Sequence, residues 1–138
     1  MQYYCIDCAI SGGHLQPAVP TNLFDTQYQL EKYLKHTTPL STYNFNSIFS
    51  DPSTVAYRDY IVDTVSSGHV QVDNSGRINI VWVASRGTGV SYQNGNFHSN
   101  ADAVKVVFHD DQIKIHGYPT QSTELAGYNC CVCGKVIP

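Results

Sequence analysis

Hydrophobic positions recur with a helical period in the first half of the chain and alternate with polar ones in the second. Leu23, Leu30 and Leu34 fall on one helical face with Tyr33 beside it, and Pro39 lies just beyond. This predicts a helix over 23–36. Asp51-Pro52 reads as an N-cap with proline in the first helical position. Tyr57, Ile61 and Val65 then stack at i, i+4 and i+8, and Gly68 stands where a helix ends. A second helix is therefore predicted to about Ser66. The stretches 9–22 and 37–50 are rich in Gly, Pro and polar residues and read as loops.

Beyond Gly68 the period is two. His69–Asp73 and Arg77–Ala84 flank Asn74-Ser75-Gly76, a hairpin signal. Ile78, Ile80 and Trp82 alternate, with Val81 and Val83 on the other side. A strand apolar on both faces belongs in the middle of its sheet. Val90–Tyr92 and Asn96–His98 flank Asn94-Gly95, a favoured tight turn. Ala103–His109 and Gln112–Tyr118 flank Asp110-Asp111. If those two aspartates form the loop, His109 faces Gln112, Phe108 faces Ile113, Val106 faces Ile115 and Lys105 faces His116. The length suits one domain over residues 1–138. The predicted fold is α+β, with two N-terminal helices packed on one face of an antiparallel β-meander of five or six strands.

The cysteines are the strongest chemical signal. All five lie at the chain ends: Cys5 and Cys8 in one C-x-x-C, Cys130 and Cys133 in another, with Cys131 between. Two such pairs provide the four thiolates of a closed tetrahedral zinc site, formed here by residues 1–10 and 128–138. Gly134 follows the second pair, where the turn of a zinc-ribbon knuckle needs positive φ. The first pair lacks that glycine. Neither pair is predicted at a helix start, which speaks against a redox motif. An odd cysteine count suits disulfides poorly, and no signal peptide or basic leader is visible. The expectation is a structural Zn²⁺ that ties the two ends together in a reducing, cytoplasmic compartment.

Candidate catalytic groups come from the last predicted hairpin. Its register would place Lys105, Lys114, His116 and Tyr118 together on the sheet face away from the helices. Metal-independent cleavage of RNA needs a base for the 2′-hydroxyl, an acid for the leaving oxygen and a cation for the phosphate. His116, Lys105 and Tyr118 are suitable types, since histidine titrates near neutrality. Lys114 and Arg86, the latter in Ser85-Arg86-Gly87-Thr88-Gly89, are candidate phosphate contacts, and His14 lies in an early flexible loop.

The stretches Val104–Phe108 and Ile113–Pro119, ending in Tyr118-Pro119, resemble the closing hairpin of EndoU-type domains of the barnase-like ribonuclease superfamily. Gly13-His14 resembles the early Gly-His that carries a catalytic histidine there, and His116 stands where Thr or Ser is usual. The resemblance implies a toxin-type endoribonuclease with RNA as substrate and an inhibitor protein as partner.

Composition changes this picture in one respect. Charged residues are only 14% and the net charge is −3, so a strongly basic nucleic-acid footprint is absent. Ten tyrosines with many Asn and Ser suit a protein-binding surface. The alternative function is thus a non-enzymatic, zinc-stapled protein- or nucleic-acid-binding module, a composition also compatible with viral or phage origin. No apolar run is long enough for a membrane span.

Overall fold

The computed structural model describes residues 1–15, 23–24, 26–38, 46–84, 86–93, 95–109, 114–125 and 128–136. The elements run β1 (Gln2–Cys5), α1 (Ile6–Ser11), α2 (Gln27–Thr37), β2 (Ile48–Phe49), α3 (Thr54–Ser67), β3 (His69–Val72), β4 (Ile78–Val83), β5 (Gly89–Gln93), β6 (Asn96–Ala101), β7 (Ala103–His109) and β8 (Lys114–Thr120). A 3₁₀ turn at Ser122–Glu124 follows. The α+β layout holds, with the strands divided between two antiparallel sheets. One has the order β1-β3-β4-β7-β8 and the other β2-β5-β6. β4, apolar on both sides in sequence, is the middle strand of the larger sheet.

The register gives each face of the large sheet its character. Tyr4, Val70, Ile80, Val106 and Gly117 lie in one cross-strand row. Tyr57 and Ile61 of α3 pack on this side and complete the main core. The next row holds Tyr3, Gln71, Asn79, Val107 and His116, on the opposite face. Gln71 and Asn79 are both buried there, and neither Gln71 Oε1 nor Asn79 Oδ1 has a hydrogen-bond partner. Leu125, just after the 3₁₀ turn, covers Val81 and Ala103 on this second face.

Helix boundaries depart from the pattern in informative ways. α3 starts later than Asp51-Pro52 suggests: Ser53 is the N-cap, its hydroxyl accepting from the Ala56 N–H at 3.1 Å. Asp51 instead accepts from the Ser53 N–H, which fixes the approach to the cap. In α2 the predicted face is wrong. Leu30 and Leu34 are exposed, and the helix turns Gln29, His36 and Thr37 inward, with Tyr33 half-buried. These four positions keep helical spacing, so a polar face won the burial that the leucines were expected to take.

The last hairpin is shifted by two residues from its expected register. Phe108 faces Ile115, Val106 faces Gly117, Lys105 faces Tyr118 and His109 faces Lys114. Two adjacent aspartates suit a two-residue turn poorly, because both central residues would need positive φ. A two-residue shift leaves every side chain on its original face, so alternation alone cannot distinguish the two registers. The Asp110-Asp111 turn itself lies outside the described residues.

Candidate metal centre

The two cysteine pairs meet by different local routes. Cys5 ends β1 and is also the N-cap of α1, and Cys8 lies one turn further on. The first C-x-x-C therefore does begin a helix, contrary to expectation, and this explains its missing glycine. Positions three apart on a helix project to the same side, so both sulfurs face one point. The second pair sits in a turn. The Cys130 N–H donates to the Lys135 carbonyl at 2.9 Å, and the Gly134 N–H donates to the Cys130 carbonyl at 3.0 Å. Gly134 has φ +75, the conformation the knuckle requires. The Cys131 N–H donates to the Tyr3 carbonyl at 2.9 Å and anchors this turn on β1.

The outcome is a cluster of four. The sulfurs of Cys5, Cys8, Cys130 and Cys133 all lie within 4.8 Å of one another, a grouping that could hold a metal ion. Cys5 Sγ and Cys133 Sγ are 3.8 Å apart, too far for a disulfide, and all five cysteines are free. Cys131 is exposed and outside the cluster. Burial opposes ionisation of Cys130, but backbone N–H groups of Cys133, Cys5 and Val132 donate to its sulfur and bring its pKa down to about 6. Hydrogen bonding to Cys5, together with burial and the sulfurs of Cys133 and Cys130, pushes Cys8 up to about 12. Hydrogen bonding thus favours the thiolate at Cys130 over Cys8. A bound cation would let all four ionise.

The candidate catalytic residues do not form one open constellation. His116 is buried at 7% exposure, and its ring stacks on that of His36 with centroids 5.6 Å apart and planes 4° from parallel. Tyr118 stacks on His36 at 5.2 Å, and burial raises its pKa to about 12. The face expected to be open is therefore covered at β8 by α2. Lys105 is paired with Glu124, Nζ to Oε1 at 3.5 Å. The His14 ring lies tilted against that of Tyr4 of β1, centroids 4.7 Å apart, across the sheet from β8 by four strand spacings, roughly 19 Å. Arg86 lies over the Tyr60 ring at 5.2 Å, on the α3 side and near Asp51 and Asp59. Lys114 opposes His109 in the ladder.

His36 is the residue that sequence reasoning missed. Its Nδ1–H donates to the Ser47 carbonyl at 2.8 Å, which leaves Nε2 without a proton in the neutral ring. Burial lowers its pKa to about 4. Its only sequence signal is its place in the last turn of α2, seven residues after Gln29, and the leucine pattern hid it. Among the described residues, no helix is long and apolar enough to cross a membrane. The chain matches no protein-family model, no curated protein and no solved structure.

Proposed function

We propose that the chain is a non-enzymatic binding module, stapled by zinc, that presents its C-terminal knuckle to a protein partner. The observation that carries this reading is the convergence of four cysteine sulfurs from the two ends of the described chain. Zinc suits an all-thiolate tetrahedral set. Zn–S bonds of about 2.3 Å give sulfur–sulfur edges of about 3.8 Å, and Cys5 and Cys133 stand at that spacing. Four protein ligands leave no position for water or substrate, so the ion acts as a tie. Free thiols fit a reducing, cytoplasmic compartment.

The knuckle carries an apolar tip. Val132 and Val136 are 68% and 72% exposed, and Tyr128, stacked on Tyr3 at 4.0 Å, is 44% exposed. A net charge of −3 favours a protein over a nucleic acid as the partner. The endoribonuclease reading keeps one support, the second histidine His36 beside His116. Against it, both imidazoles are buried and the nearby Lys105 is already paired, so base, acid and cation do not face a common phosphate position.

The deciding experiment measures metal content and RNA cleavage on the same purified chain, with no metal added, beside the His116→Ala variant. One zinc per chain without cleavage is expected. RNA cleavage abolished by His116→Ala would replace this reading with the ribonuclease.

A further inference from the structure

The four sulfurs of the metal centre are not equally accessible. Cys133 is exposed, whereas Cys130 and Cys5 are 2% and 8% exposed. An oxidant from solvent therefore meets Cys133 first among the four. Across the cluster, the sulfur of Cys5 lies 3.8 Å from that of Cys133. Cys130 is also close, but it belongs to the same knuckle turn as Cys133 and is the more deeply buried, at 2% against 8% for Cys5. Cys131 is exposed too, yet it lies outside the cluster.

We infer that Cys5 and Cys133 form a specific oxidation site, at which hydrogen peroxide replaces the metal tie with a disulfide between the same two chain ends. The inference rests on the zinc reading for its starting state. The Cys133 thiolate attacks one peroxide oxygen, the O–O bond breaks, and hydroxide leaves to take a proton as water. Cys133 is then a sulfenic acid. The Cys5 thiolate attacks its sulfur, the S–O bond breaks, and a second hydroxide leaves and is protonated. Two electrons pass from the two sulfurs to the peroxide, and two protons come from solvent. Zinc keeps only Cys8 and Cys130 and departs.

The consequence separates this centre from an ordinary labile zinc site. Cys5 is on β1 and Cys133 on the knuckle, so their disulfide closes the same long loop that the metal closed. Oxidation would expel the ion and keep the ends together. A disulfide within either C-x-x-C would expel the ion and release them.

The test uses the full chain, loaded with zinc and checked for stoichiometry. Peroxide is added stepwise while a chromogenic chelator reports free zinc. Non-reducing digestion and mass mapping then locate the bridge. Expected are a Cys5–Cys133 bridge, one zinc released per bridge, and a thermal midpoint close to that of the zinc form. The reduced chain stripped by chelator should melt well below both. A bridge at Cys130–Cys133 or through Cys131, or peroxide consumed with zinc retained, would overturn the inference. Cys131→Ser should leave the bridge unchanged; a shift in its position would count against the assignment. If the chain takes up no zinc, the zinc reading fails by itself. The same mapping on the metal-free reduced chain then decides whether Cys5 and Cys133 still pair.

Discussion

Acidification should weaken the packing of α2 on β8, and His36 sets the size of the effect. The ring is 5% exposed, stacks on His116, and donates from Nδ1 to the Ser47 carbonyl. Burial is the largest influence on it; the Ser47 carbonyl pulls the other way, and Lys35 and Lys32 add to the depression, leaving a pKa of about 4 against 6.5 for a free ring. The unfolded chain therefore binds this proton more readily than the folded one. Stability from this source is complete above pH 6.5, falls as the pH drops from 6.5 towards 4, and changes no further below that. The loss is about 3 kcal/mol over the whole window and about 2 kcal/mol by pH 5. Urea unfolding of the wild type and of His36→Asn, at pH 7.5 and pH 5, isolates it. Asparagine keeps a donor near the Nδ1 position and does not titrate. Groups common to both chains cancel, including His69, which burial and Lys135 also hold below its usual value. The wild type's advantage should shrink by about 2 kcal/mol between the two pH values. A difference that stays constant with pH would refute the argument that His36 is buried neutral.

Other outcomes follow from single contacts. Stripping the proposed zinc with a chelator under reducing conditions should destabilise the chain by about 5 kcal/mol, the closure entropy of a loop exceeding a hundred residues, read as a fall in the urea midpoint. Tyr57→Phe removes the hydroxyl that accepts the Gly117 N–H at 3.2 Å. The buried donor is left unpaired, so calorimetry should show a loss of roughly 1–2 kcal/mol. Gly68→Ala would place a Cβ 2.6 Å from Ile80 Cγ2 and the Thr64 carbonyl and 2.7 Å from the Val81 carbonyl. Backbone atoms cannot yield there, so a cost of about 1–3 kcal/mol is expected in chemical denaturation.

The parts of the structure governed by local rules were legible in the chain. The β3–β4 hairpin and the central place of β4 followed from alternation and turn residues, and the meeting of the two cysteine pairs followed from spacing. What failed depended on tertiary competition. β5 and β6 pair as expected but leave the large sheet to join β2, a two-residue strand too short to show a period. α1 carries no clear signal in the sequence because six residues give less than two turns of pattern. Leu30 and Leu34 lost their predicted burial to His36 and Gln29, because the edge of β8 offers aromatic and polar partners rather than an apolar groove. That choice also closed the surface on which a catalytic His116 would have depended.

The meeting of Cys5 with Cys133 has a mechanical side. With the proposed zinc bound, tension applied through residues outside this pair would pass directly from β1 to the knuckle through metal–sulfur bonds. The strands and helices between them would lie in a closed, unloaded loop. A zinc-bound chain would then resist pulling between Cys5 and Cys133 with the strength of its coordination bonds, while the strands from β3 to β8 carry no load. It should yield in one step when the ion leaves, and a chain bridged by the disulfide should not lengthen at all between those residues.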